Sequence, residues 1–153
     1  MAEAFLSLSP TDRREVLEVV ASTSGRPTHV IEKDIWVVWT LSVLFESSFG
    51  KHLVFKGGTS LSKAYKAIRR FSEDVDVTYD IRAFAPDLVQ GAGEEALPPT
   101  NSQEKKWTKA IRKRLPAWVA ETALPYMQAR LAASGCAGQV RADGSNLYIE
   151  YEP

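Results

Sequence analysis

Residues 52–79 change hydrophobic period twice, and that change limits the fold more than any other feature of the chain. A strand is expected over 52–55, bounded by Gly50 before it and Gly57-Gly58 after it. From about Ser60 the period becomes helical: Leu61, Ala64, Tyr65 and Ile68 fall at i, i+3, i+4 and i+7, with Lys63, Lys66 and Arg70 on the opposite side. A second strand is expected over about 74–79. Strand, helix and strand in quick succession place a helix against a sheet, so the expected fold class is α/β (α+β).

The flanking segments add helices on one side and a hairpin on the other. Ser9 is placed to cap a helix, Pro10 suits its first position and Asp12 its positive end, with Val16, Leu17, Val20 and Ala21 as the apolar face. Gly25-Arg26-Pro27 ends it, and Thr28 is placed to cap a second helix over 28–45. There Ile31, Ile35, Val38, Ser42 and Phe45 recur at helical spacing, while Trp36, Trp39 and Leu41 widen the apolar surface, which predicts a scaffold helix buried on more than one side. Residues 85–103, with Pro86, Pro98, Pro99, Gly91 and Gly93, read as a long surface loop. A helix over 102–120 carries Trp107, Ile111, Leu115 and Trp118 on one stripe, interrupted by Pro116, and another over 123–133 stops at Ser134-Gly135. Strands over 139–142 and 147–151 around an Asp143-Gly144 turn make a terminal hairpin, whose Leu147, Ile149 and Tyr151 face one way and require cover. The whole reads as one domain over 1–153: N-terminal helices beside a mixed sheet, with a C-terminal hairpin.

Composition excludes several classes. A chain of 153 residues that is 44% hydrophobic and 25% charged can bury a core without staples and is not disordered. The single cysteine, Cys136, rules out an internal disulfide and a cysteine zinc site. Nineteen Lys and Arg balance nineteen Asp and Glu, so nucleic acid binding would need a local patch. The opening MAEAFLSLSP lacks a basic start and an apolar run, and no stretch approaches the roughly 18 apolar residues of a membrane span. A cytoplasmic domain with no membrane partner is expected.

Chemistry concentrates in two places. Phe55-Lys56-Gly57-Gly58-Thr59-Ser60 joins the first strand to its helix. Paired glycines let a backbone approach a ligand, and a helix start offers unpaired N–H groups and a positive dipole end. Thr59 and Ser60 add hydroxyls, which suits the triphosphate of an NTP; a plain turn uses the same residues. The segment is not a Walker A loop. Lys63 and Arg70 either neutralise phosphate charge or are merely solvated. Sixteen residues after Gly58 comes Asp74-Val75-Asp76. Two residues apart on a strand, both carboxylates share a face about 7 Å apart, a hard-oxygen pair suited to Mg²⁺ with water and phosphate oxygens. A solvated strand edge is the alternative, and an EF-hand fits worse, with Tyr79 where its glycine belongs. If the strand extends back far enough, Ser72 shares that face beside a bound triphosphate; otherwise it bonds locally.

A glycine turn, one helix and Asp-x-Asp on the next strand is the arrangement of polymerase-β-like nucleotidyltransferases. More narrowly, Phe55-Lys56-Gly57-Gly58-Thr59-Ser60-Leu61-Ser62-Lys63-Ala64-Tyr65 and Arg70-Phe71-Ser72-Glu73-Asp74-Val75-Asp76 resemble the AbiEii/AbiGii toxin family, nucleotidyltransferase-like toxins of bacterial toxin–antitoxin and phage-defence systems. The resemblance is dense over 32–80 and thin afterwards. It implies Mg²⁺-dependent transfer of nucleotide from an NTP, with tRNA ends a target of some relatives and an antitoxin as cognate partner. By position, Gly57, Gly58, Thr59 and Ser60 would hold the triphosphate with Lys63 and Ser72 near it. Asp74 and Asp76 would be the catalytic metal ligands, for as many as two Mg²⁺ ions. The family's later lysine motif and Lys-Asp or Arg-Asp motif have no counterpart before Pro153, so the domain is expected to be incomplete at its C-terminal end. For the family's third carboxylate Glu150 is the available candidate, with a solvent-facing strand glutamate as the alternative.

Other signals are weaker. Lys105, Lys106, Lys109, Arg112, Lys113 and Arg114 form the basic cluster, either an RNA grip or the wet face opposite Trp107, Ile111 and Trp118. His29, His52 and Cys136 have no partner pattern of a catalytic site. The rival to an enzyme is a non-catalytic, truncated relative that binds an antitoxin or RNA.

Overall fold

The computed structural model describes residues 2–56, 76–90 and 97–151. In chain order these form α1 (Ala2–Leu6), α2 (Pro10–Ser24), α3 (Thr28–Glu46), a 3₁₀ turn (Gly50–His52), β1 (Leu53–Lys56), β2 (Asp76–Tyr79), α4 (Ile81–Phe84), α5 (Asn101–Trp118), a π-helical segment (Val119–Ala123), α6 (Leu124–Ser134), β3 (Gly138–Asp143) and β4 (Asn146–Tyr151). The class is α+β. The strands do not make the expected mixed sheet: among the described residues they form two separate antiparallel pairs, β1–β2 and β3–β4. The helix expected from Ser60 lies outside the described residues.

Local chemistry explains most boundaries. The Ser9 hydroxyl accepts from the Asp12 N–H at 3.1 Å, and Gly25 closes α2 at φ 74, a left-handed conformation that favours glycine. Thr28 does not cap α3; Pro27 holds that position with no side-chain bond, and Thr28 begins the helix. The cap of α5 is Thr100, whose hydroxyl accepts from Gln103 N–H at 3.2 Å, so the helix starts just before the expected Ser102. The helix continues through Pro116 and into the π segment, where the Leu124 N–H reaches back five residues to the Val119 carbonyl. Pro125 follows at once and has no N–H to give, so the widened turn sits where the regular ladder would be broken anyway. The hairpin pairs Asp143 with Asn146, which moves the turn one residue on, to Gly144-Ser145.

The core joins α1, α3, α6 and the β3–β4 hairpin through Leu6, Trp36, Trp39, Val43, Met127, Leu131 and Val140. The face of α3 differs from expectation. Val38 and Phe45 are among the exposed large hydrophobics, while Trp36, Trp39 and Val43 are buried. Two indoles bury more apolar area than a valine and a phenylalanine, and that difference sets the helix's rotation. On α2 likewise, Leu17 is buried but Val16 and Val20 are exposed. As expected, Leu147, Ile149 and Tyr151 share the covered face of β4, and Tyr151 stacks on Trp36 at 4.7 Å. Arg130 on α6 bridges Glu3 of α1 at 2.6 Å and Glu46 of α3 at 2.9 Å, and the Tyr126 hydroxyl donates to the Val43 carbonyl at 2.6 Å.

Candidate active site

The candidate site is built on β1 and β2. Their antiparallel register pairs Leu53 with Tyr79, Val54 with Thr78, Phe55 with Val77 and Lys56 with Asp76. Cα atoms paired in this way lie about 5 Å apart. Lys56, the residue before Gly57, and Asp76 therefore face each other at one end of the two-stranded sheet as far as it is described. The nineteen residues between include Gly57, Gly58, Thr59, Ser60, Lys63, Ser72 and Asp74, all of which lie outside the described residues. Among the described residues no cluster of three or more His, Cys, Asp or Glu is placed to hold a metal.

At the other end the sheet is tied to the helices. The Asp80 N–H donates to the His52 carbonyl at 2.8 Å, extending the pairing past Tyr79. The Asp80 carboxylate caps α4 through the Arg82 N–H at 3.0 Å and pairs with its guanidinium at 2.9 Å, and these bonds hold the carboxyl below its usual range. Tyr79 packs edge-on against Trp118 at 5.1 Å; Phe49 meets the same indole at 5.1 Å and Phe84 at 6.2 Å. Trp118 thus joins the last turn of α5 to the strand that begins with Asp76. Sequence reasoning placed Trp118 only on the apolar stripe of its own helix. The signal it missed was the aromatic set Phe49, Tyr79 and Phe84 on elements that meet only in three dimensions.

Other candidates resolve plainly. Glu150 lies on the exposed face of β4, bonded to Arg141 at 2.6 Å and Gln139 at 2.8 Å, which lowers its pKa. That is the solvent-facing strand glutamate, and it sits on the sheet that does not carry Asp76. His52 is half-buried and stacks on Tyr79 at 6.0 Å, while His29 is exposed. Cys136 accepts from Arg13 Nη1 at 2.9 Å. On α5, Trp107 is buried while Lys105, Lys106, Lys109, Arg112, Lys113 and Arg114 are exposed; Arg114 is clamped by Asp87 through two 2.8 Å bonds.

A family model described as nucleotidyl transferase AbiEii toxin, type IV toxin–antitoxin system, matches residues 39–153. The chain belongs to the AbiEii family. The match takes in β1, β2 and the whole segment between them, with the glycine pair and both aspartates, while α1, α2 and the start of α3 precede it. The AbiEii assignment agrees with the resemblance carried by residues 55–65 and 70–76. No curated protein and no solved structure matches the chain. Among the described residues no helix is long and apolar enough to cross a membrane.

Proposed function

We propose that this AbiEii-family chain transfers a nucleotidyl group from an NTP to an RNA acceptor such as tRNA, as the toxin of a type IV toxin–antitoxin pair acting in the cytoplasm in phage defence. The observation that supports this reading best is the Lys56–Asp76 pairing, which sets the residue before Gly57 opposite one of the two aspartates on one sheet. Gly57 and Gly58 would give the triphosphate close access to backbone N–H groups, with Thr59, Ser60, Lys63 and Ser72 beside it. Asp74 and Asp76 would supply hard oxygen donors of the kind Mg²⁺ takes, and Asp76 stands on a strand that packs at its far end, through Tyr79, against Trp118. Bound there, one or two Mg²⁺ would offset charge on the attacking and leaving oxygens. In the reaction the acceptor hydroxyl oxygen bonds to the α-phosphorus, the bridging oxygen leaves with pyrophosphate, and the hydroxyl proton passes to solvent. The antitoxin is the expected protein partner.

Calorimetric titration with Mg²⁺–NTP tests the site. Asp74→Asn and Asp76→Asn should each abolish metal-dependent binding while leaving thermal stability unchanged or raised, because like-charge repulsion is relieved. Gly58→Ala should weaken affinity at least tenfold, about 1.4 kcal/mol. Undiminished binding in both aspartate variants removes the metal assignment.

A further inference from the structure

We infer that the cationic face of α5 is the surface on which the phosphate backbone of the RNA acceptor docks. The inference rests on the reading above that the acceptor is RNA, and it names the part of the molecule that holds it. At about 100° per residue, Lys105, Lys106, Lys109, Arg112 and Lys113 fall within an arc of about 120°, opposite Trp107, Ile111 and Trp118, and extend roughly 12 Å along the axis. The helix carries six Lys or Arg and one acidic residue, Glu104, a net +5 that leaves −5 on the rest of a neutral chain. Charge in this protein is therefore segregated although its sum is zero.

A merely solvated helix face mixes signs, because Glu and Lys at i, i+4 support each other and like charges there oppose the helix. Here Lys109 has like-charged neighbours at Lys105, Lys106, Arg112 and Lys113, all three or four residues away. Among the described residues none of these five cations has a carboxylate partner, whereas Arg114, off the arc, is neutralised by Asp87. Lys105, Lys109 and Arg112 line an open depression with Asn101, Thr108 and Glu104, so an amide and a hydroxyl stand among the cations and the one carboxylate, Glu104, falls off their arc. Cations with amide and hydroxyl donors between them match phosphate oxygens, which such groups bind without reading sequence. Trp118 ties the far end of the same helix to β2 through Tyr79, so the docking face and the candidate site belong to one framework.

The test is fluorescence anisotropy of a fluorescein-labelled, unfractionated tRNA pool titrated with the full chain across a range of NaCl concentrations. The variants are K105Q/K109Q/R112Q, K109Q and R114Q, all at exposed positions. The triple variant should weaken binding at least tenfold at low salt and flatten the slope of log affinity against log salt by about two. K109Q should weaken binding more than R114Q, which removes the same formal charge from outside the arc. Binding by the triple variant within twofold of the parent, or equal losses in K109Q and R114Q, overturns the inference. Polyglutamate displacing the tRNA at equal charge concentration also overturns it, in favour of an acidic protein. Mg²⁺–NTP titration of the parent and triple variant reports separately on the transfer reading: failure there with α5-dependent tRNA binding intact defeats that reading alone.

Discussion

Glu32 is the buried carboxylate of α3, and burial raises its pKa against a partly offsetting Arg13 charge. A carboxyl that holds its proton more tightly folded than unfolded adds stability in acid, and that contribution is lost as pH rises through the raised value. Glu32→Gln keeps the shape and removes the titration. The melting temperature of the variant relative to the parent should therefore rise as pH goes from about 4 to about 8, whereas a pH-independent difference would show that Glu32 does not sense its burial. Asp80, Asp87 and Glu150, each held low by an arginine, act in the opposite sense and are common to both proteins. The burial of Glu32 was not legible in the sequence, where it reads as a polar position beside Lys33 and Asp34. The candidate site is legible only as two local patterns, Gly57-Gly58 and Asp74-x-Asp76, whose spacing has a chemical reason. What the sequence left open, the register that sets Lys56 opposite Asp76, is a pairing across nineteen residues.

At the scale of elements, ends were easier to read than rotations. Ser9 and Gly25 mark α2 because a cap bond and a positive φ are properties of single residues. The rotation of α3 depends on which side chains find cover, and the two tryptophans decide that against the Val38 and Phe45 side. The π segment depends on two features together, Pro125 and the need to keep Val119, Ala123, Met127 and Leu131 facing inward at spacings of four. Two contacts aim β1 and β2. Gly50, in the turn before β1, lies so close to the end of α3 that an added Cβ would meet the Phe45 carbonyl, and Trp118 receives Tyr79. Trp118→Ala should lower stability by about 2 kcal/mol, less than a fully buried aromatic because the residue is only half-covered. The same variant should weaken Mg²⁺–NTP binding, whereas unchanged binding would show that the sheet holds its end without the indole.

For the whole molecule, the expected α+β class agrees with the described helices and strand pairs, but the number of sheets was not legible. The β3–β4 hairpin covers Trp36 with Tyr151 and bonds through the Val140 carbonyl to Gln128 Nε2 on α6 at 3.1 Å, so it packs on the helices rather than on β1–β2. No local pattern distinguishes that docking from extension of a central sheet. The division of charge was legible as a cluster, while its exposure without carboxylate partners among the described residues needed the fold. On the proposed function, the β1–β2 end is where nucleotide would be transferred and not only held. The most direct test is incubation of the parent and Asp76→Asn with tRNA, Mg²⁺ and each of the four NTPs labelled at the α-phosphate, resolving the RNA by electrophoresis. Label entering tRNA with the parent and not with Asp76→Asn is the predicted result. Absence of labelled RNA from a parent protein that binds both NTP and tRNA would contradict the account and leave a non-catalytic binding module.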